Sequence, residues 1–162
     1  YGVVELASRA GNSTGALYCA ESPQCAQVPQ FVELLGGMLG VETPVLTKVS
    51  TTAGDYTAPC QALIDAKVDS YQIAADGPAV VKIAQACYDQ GLRSRMVTGD
   101  ATVRSSFLKV PAMEGMLAAG TADHCFDHIP AALQPSAFLP RALFERFSIE
   151  VIATTESRLS AL

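Results

Sequence analysis

Charge is scarce in this chain, and positive charge is scattered. Of its 162 residues 17% are charged, and the formal net charge is −5. The Lys and Arg residues, from Arg9 to Arg158, form no basic stripe. Nothing is concentrated enough to neutralise a run of phosphates, so nucleic acid is excluded as a partner. No apolar run approaches the ~20 residues of a bilayer-spanning helix. Tyr1-Gly2-Val3-Val4 is not a charged region followed by an apolar stretch, so any export signal is expected outside this sequence. P-loop spacing, internal repeats and low-complexity tracts are all missing. Gly36-Gly37-Met38-Leu39-Gly40 is glycine-rich but closes a helical pattern where a dinucleotide loop would open one.

What is present is a folded segment. Hydrophobic residues make up 49% of the chain, above the range of disordered sequences, and the length suits one domain with a single core. Any function that needs two lobes must take the second from elsewhere. From Gly15 onward, short strand-like runs alternate with amphipathic stretches, the pattern of βαβ units on a parallel sheet. The expected strands are Ala16–Ala20, Val45–Val49, Ser70–Ala75 and Arg95–Thr98, with a fifth apolar run at Met113–Ala119. Val28, Phe31, Val32, Leu35, Met38 and Leu39 recur at helical spacing, and Gly40 stops them. Pro59 fits the first turn of a second helix, whose apolar side is Cys60, Leu63 and Ile64. Val80, Ile83, Ala84 and Cys87 share one face of a third helix, ended by Gly91. A short helix is expected near Thr102–Leu108. The fold class is α/β, a doubly wound and mostly parallel sheet of order 2-1-3-4-5 with helices on both faces, a three-layer sandwich.

In such a sheet ligands bind beyond the carboxyl ends of the strands, where helix N-termini present unpaired amides. The candidate site residues are therefore Glu21 and Ser22 after the first strand, Asp76 and Gly77 after the third, and Gly99 and Asp100 after the fourth. Converging carboxylates suit an ammonium group, and the helix amides suit a carboxylate or hydroxyl; together they fit an amino acid or similar polar solute. Asp and Ser before a helix also serve as ordinary caps, and both roles stay open for these residues. No catalytic residue and no metal site is expected. Gly11-Asn12-Ser13-Thr14-Gly15 has the G-x-S-x-G formula, but a strand follows the serine where a nucleophile elbow needs a helix. His124-Cys125-Phe126-Asp127-His128 has metal-ligand chemistry, yet it is isolated and Pro130 cuts it short; a surface loop with an unpaired or externally paired Cys125 is expected.

Five cysteines without close metal-binding pairs point to an oxidising compartment. A right-handed 2-1-3-4 order puts the helices after strands two and three side by side on one sheet face, so Cys60 and Cys87 can pair. The helix after strand one lies on the opposite face, leaving Cys19 and Cys25 to pair locally. Buried free thiols are the alternative.

The order of elements, together with several phrases, resembles the type I periplasmic (extracellular) solute-binding proteins, specifically the branched-chain amino acid receptors of ABC transporters. The phrases are Ala16-Leu17-Tyr18-Cys19-Ala20-Glu21, Leu39-Gly40-Val41, Val49–Ala58, Ala84–Gly91 and Met113-Glu114-Gly115-Met116. The similarity spans roughly Gly15 to Phe147 and matches the second lobe only. It implies that residues 1–14 are the end of a first-lobe helix and a hinge crossing, 15–147 the second ligand-binding lobe, and 148–162 the hinge return and the start of a first-lobe helix. It also implies a small solute held between two lobes, a first lobe and ABC-transporter membrane subunits as partners, no cofactor, no enzymatic activity, and a periplasmic or extracellular place, with lipid anchoring to the cell surface compatible with it.

Two other classes fit parts of the sequence. A flavodoxin-like cytosolic signalling domain would use Asp76 or Asp100 as phosphoacceptor, but no Lys ends strand four or five. A Rossmann-like nucleotide-binding enzyme would need the missing glycine-rich turn.

Overall fold

The computed structural model describes residues 2–99, 102, 103, 107, 109–120 and 151–153. Helix α1 (Gly2–Ala10) leads into strand β1 (Ser13–Cys19), followed by α2 (Val28–Leu39), β2 (Glu42–Val49), α3 (Thr57–Asp65), β3 (Ser70–Ala74), α4 (Gly77–Asp89), β4 (Arg95–Gly99), β5 (Leu117–Gly120) and β6 (Val151–Ala153). The sheet order is β2-β1-β3-β4-β5-β6, with every neighbouring pair parallel. The expected 2-1-3-4-5 order holds, and β6 extends it beyond β5.

Each connection has a local cause. Gly40 ends α2 at φ 71°, where its amide reaches Gly36 O, a left-handed cap that glycine adopts at least cost. Asp76 caps α4 by accepting the Ala79 amide at 2.9 Å, and Pro78 sits in the first turn, where no amide donor is needed. Two 3-10 turns, Cys25–Gln27 and Pro111–Met113, shape the approaches to α2 and β5. Residues 104–106 and 108, within the short helix expected near Thr102–Leu108, lie outside the described residues.

The main core lies between the sheet and the α3–α4 layer and includes Leu17, Ile73, Leu63, Val80, Ile83 and Met96. On the other face, Leu6 and Ala7 of α1 pack with Val97, Leu117 and Ala119. The helix expected to end a first lobe thus covers β4 and β5 of this sheet. Both expected disulfides are present. Cys60–Cys87 joins α3 to α4 with a Cα separation of 4.9 Å, and Cys19–Cys25 closes the turn after β1 at 5.4 Å.

Three local features depart from the sequence reading. Strand β1 begins at Ser13, inside the expected polar turn. Thr14 and Ser70 are buried there, and the Ser70 hydroxyl donates to Thr14 Oγ1 at 3.0 Å, so their polar atoms satisfy each other. Strand β2 starts at Glu42, with a register shift against β1 where Pro44 falls. Helix α2 buries Val32 and Gly36 but leaves Phe31 55% and Met38 70% exposed. Gly36 explains that rotation, because a Cβ there would come within 2.8 Å of Val41 O. Only glycine permits such close approach to β2, and this turns the other apolar stripe outward.

The amino-terminal edge of the sheet is clamped by Asp69. Its Oδ2 accepts the amides of Asn12 (2.8 Å) and Ser13 (3.0 Å) and the Ser13 hydroxyl (3.1 Å). A Cβ on Gly11 would lie 2.3 Å from Asp69 Cβ, so the chain can pass this carboxylate only as glycine.

Candidate functional site

Parallel pairing brings the carboxyl ends of β1, β2, β3 and β4 to one edge of the sheet. Glu21 does not project freely from that edge. Its Oε1 accepts the Ser50 hydroxyl at 2.7 Å and the Thr51 amide at 2.9 Å, tying the exit of β1 to the exit of β2. The Ser50 hydroxyl, with backbone amides adding to it, holds the Glu21 carboxyl below the usual carboxylate range. The group is an ionised clamp at neutral pH. Ser22 turns into its own loop, accepting the Gln24 amide at 3.3 Å while its carbonyl accepts the Cys25 amide at 3.0 Å.

The disulfide brings in the third exit. Cys25 Sγ lies 3.4 Å from Ala74 O at the end of β3, so the β1 loop touches loops on both sides. Asp76 follows, exposed, with one carboxylate oxygen engaged in the α4 cap and Gly77 opening the helix. Gly99 ends β4 with open space where a Cβ would stand. Asp100 lies outside the described residues, as does the His124–His128 stretch with Cys125.

The β2 exit was absent from the expected site. Buried Tyr56 donates its hydroxyl to Ser50 O and Thr51 O, each at 3.1 Å, and so shapes the loop from beneath. Lys82 of α4 donates to Ala53 O at 2.6 Å, with its ammonium 5.3 Å from the Tyr56 ring centroid. Asp55 accepts the Thr57 hydroxyl at 2.6 Å and the Thr57 amide at 2.9 Å; these bonds hold its carboxyl low and start α3. The hint in the sequence was the polar run Ser50–Asp55 itself. Its link to Glu21 could not be read, because the bond spans 29 residues.

The resulting rim alternates donors and acceptors: the Ser50 and Thr52 hydroxyls, the Glu21 and Asp76 carboxylates, and open backbone at Gly99. Such a surface can orient a small polar molecule.

No protein-family model matches the chain. Solved structures match over about seven tenths of it. An extracellular ligand-binding receptor from Rhodopseudomonas palustris HaA2 aligns with a TM-score of 0.59 at 17% identity, over 70% of this chain and 32% of its own. A leucine binding protein from Thermotoga maritima gives 0.60 at 15% identity, over 71% of this chain and 35% of its own. A type 1 periplasmic binding protein from Bordetella pertussis Tohama I gives 0.61 at 10% identity, over 72% and 33%. The chain therefore spans about a third of these receptors.

A sequence relative of a different kind also matches. A uronate isomerase from Xanthomonas euvesicatoria pv. vesicatoria is 78% identical over 46 residues, which are 28% of this chain and 10% of the isomerase. The order β2-β1-β3-β4-β5, the helices on both faces and the extent of the structural match agree: the chain has the fold of one lobe of a type I periplasmic binding protein.

Proposed function

We propose that this chain supplies one lobe of an extracytoplasmic solute receptor serving an ABC-type importer. It contributes half of a site that closes on a small polar solute such as an amino acid. The observation that carries this reading is the Glu21 clamp. It gathers the β1 and β2 exits at the carboxyl edge of a sheet whose fold is shared with ligand-binding receptors. Glu21, Ser22, Asp76, Gly77, Gly99 and Asp100 form this lobe's share of the contacts, joined by Ser50 and Thr52. A first lobe and the transporter's membrane subunits are the protein partners, and two disulfides suit a periplasmic or extracellular setting. The test is a thermal-shift panel of amino acids and small aromatic acids on the two-lobe receptor. A cognate solute at a hundredfold excess over Kd raises stability by about 2.7 kcal/mol. Stabilisation by a nucleotide and by no solute refutes the reading.

In a second reading, the isomerase-like stretch forms the end of the chain. The receptor matches cover about seven tenths of the chain and the isomerase match covers 28%. These shares are complementary if the 46 residues follow the lobe in place of a hinge return at 148–162. Limited proteolysis with mass analysis separates the two readings. A resistant fragment ending near Gly120 supports an appended isomerase-like stretch, and resistance through residue 153 supports the hinge return.

A further inference from the structure

The two disulfides sit in different surroundings. Cys60 and Cys87 are wholly buried in the core, whereas Cys19–Cys25 lies at the carboxyl edge of the sheet, with Cys19 ending β1 and Cys25 half-buried in the turn that follows. Its ring encloses Ala20–Gln24, and with them Glu21 and Ser22. The Ala20 amide still bonds to Val49 O at 2.9 Å. Beyond it, among the described residues, the loop is tied to the rest of the lobe by the Glu21 clamp on Ser50 and Thr51 and by the disulfide, with Cys25 Sγ set against Ala74 O.

The start of α2 depends on the same cross-link. The Asp55 carboxylate accepts the Thr57 amide where α3 begins, and Asp76 caps α4. The 3-10 turn Cys25–Gln27 and α2 have no side-chain cap at their starts and no acidic residue in their first turns. The bond to β1 fixes this entry where carboxylates fix the other two.

We propose that Cys19–Cys25 is a redox latch on the rim: a dithiol reductant opens it, freeing the β1 exit loop and the first turn of α2 while the rest of the lobe stays folded. Its consequence for solute capture rests on the receptor reading given above. Exchange requires a sulfur that a thiolate can reach, and of the cysteines in the two disulfides Cys25 is the one that is not buried. A thiolate of the dithiol attacks Cys25 Sγ, and the electron pair of the S–S bond leaves on Cys19 Sγ, which takes up a proton. The reductant's second thiol gives up its proton and attacks its own sulfur in the mixed disulfide. The reductant departs as a disulfide, and the Cys25 thiolate is protonated in turn. Two electrons and two protons pass from the dithiol to the latch.

Each state has its own anchor. In the disulfide, Cys25 Sγ bears no proton, and its 3.4 Å separation from Ala74 O is a packing contact. Reduction gives that sulfur an S–H beside an acceptor already in place, so Cys25 stays docked on the end of β3 while its tie to β1 is gone. Cys19 remains buried at the end of β1, where a free thiol serves as a small hydrophobe. Neither thiol is stranded, and so short a ring recloses readily. Glu21 is then held by its two hydrogen bonds alone, and a solute must order the loop again on binding.

The first test needs no solute. The intact chain is treated with dithiothreitol under native conditions, quenched, unfolded in excess N-ethylmaleimide and mapped by peptide mass. Cys19 and Cys25 are expected to be reduced together at least about tenfold faster than Cys60 and Cys87, with the circular dichroism of the chain unchanged. Hydrogen exchange is then measured on that reduced form and on Cys19→Ser/Cys25→Ser. Amides between Glu21 and Val28, and that of Thr51, exchange at least about fivefold faster than in the oxidised parent, while those of β3 and α4 keep their protection. In the two-lobe receptor, the common amino acids that stabilise the oxidised form bind the serine variant at least about threefold more weakly. Equal reduction of the two disulfides, unchanged exchange in the loop, exchange that rises across the whole sheet, or equal affinity in the serine variant overturns the proposal. A receptor that no amino acid stabilises refutes the receptor reading alone, and the latch then stands or falls by reduction and exchange in the intact chain.

Discussion

Replacing Cys60 and Cys87 together by alanine removes a cross-link between two helices that pack side by side on the sheet. The bond joins residues 27 apart in sequence. Loop-closure entropy then assigns it about 3.6 kcal/mol of stability through its restraint of the unfolded chain. The Cys19–Cys25 bond joins residues only 6 apart, and the same relation assigns it about 2.4 kcal/mol. Packing widens the gap. Cys60 and Cys87 are fully buried in the core beside Leu63 and Ile83, and trimming each to alanine also removes sulfur contacts there. With a urea slope of about 2 kcal/mol/M, the C60A/C87A midpoint falls by about 2 M and that of C19A/C25A by about 1 M. Urea titration followed by circular dichroism, without reductant, measures both, and thiol titration of the unfolded, unreduced parent finds at most one free cysteine. Equal shifts in the two double variants, or a smaller one for C60A/C87A, would refute the argument that loop length and burial set the ranking.

Other outcomes follow from single contacts. A Cβ on Gly15 would stand 2.2 Å from Leu63 Cδ2; Gly15→Ala forces that buried side chain to move and costs about 1–3 kcal/mol, read as a lower urea midpoint. Glu21→Gln weakens the tie between the β1 and β2 exits, so the Thr51 amide exchanges faster with solvent while amides in β3 keep their protection. Glu21, Asp55 and Asp69 all have carboxyl pKa values lowered in the folded state by hydrogen bonds. Their contribution is fully present above the unfolded carboxylate range of about 4 and is lost as pH falls through the lower folded values. The melting temperature should therefore drop below about pH 4, and Asp69→Asn should flatten that acid limb.

The alternation of short β runs with amphipathic stretches makes a doubly wound sheet of order 2-1-3-4-5 legible in the sequence, because a right-handed crossover leaves few other arrangements. The same topology made Cys60–Cys87 readable, since it decides which helices are neighbours. Two strand starts were hidden. Ser13-Thr14-Gly15 looks like a turn, and only the Thr14–Ser70 hydroxyl pair makes it fit for burial. Pro44 resembles a breaker, and its strand accommodates it by a shift in register. Phe31 and Met38 belong to the apolar pattern of α2, but the close approach at Gly36 sets the rotation of the helix. The rim was half legible: strand exits follow from topology, whereas Glu21 reaching Ser50, and Lys82 reaching Ala53, depend on side-chain reach between distant segments.

Strand β2 forms one margin of the sheet, and its outward row of backbone groups is interrupted where Pro44 lacks an N–H and the register slips against β1. Exposed Glu42 and Lys48 bracket that interruption with charge. A strand that cannot offer an unbroken ladder is a poor template for another chain's backbone. When many copies crowd together, cross-β stacking from this margin is disfavoured, and association is left to side-chain contacts that can come apart again.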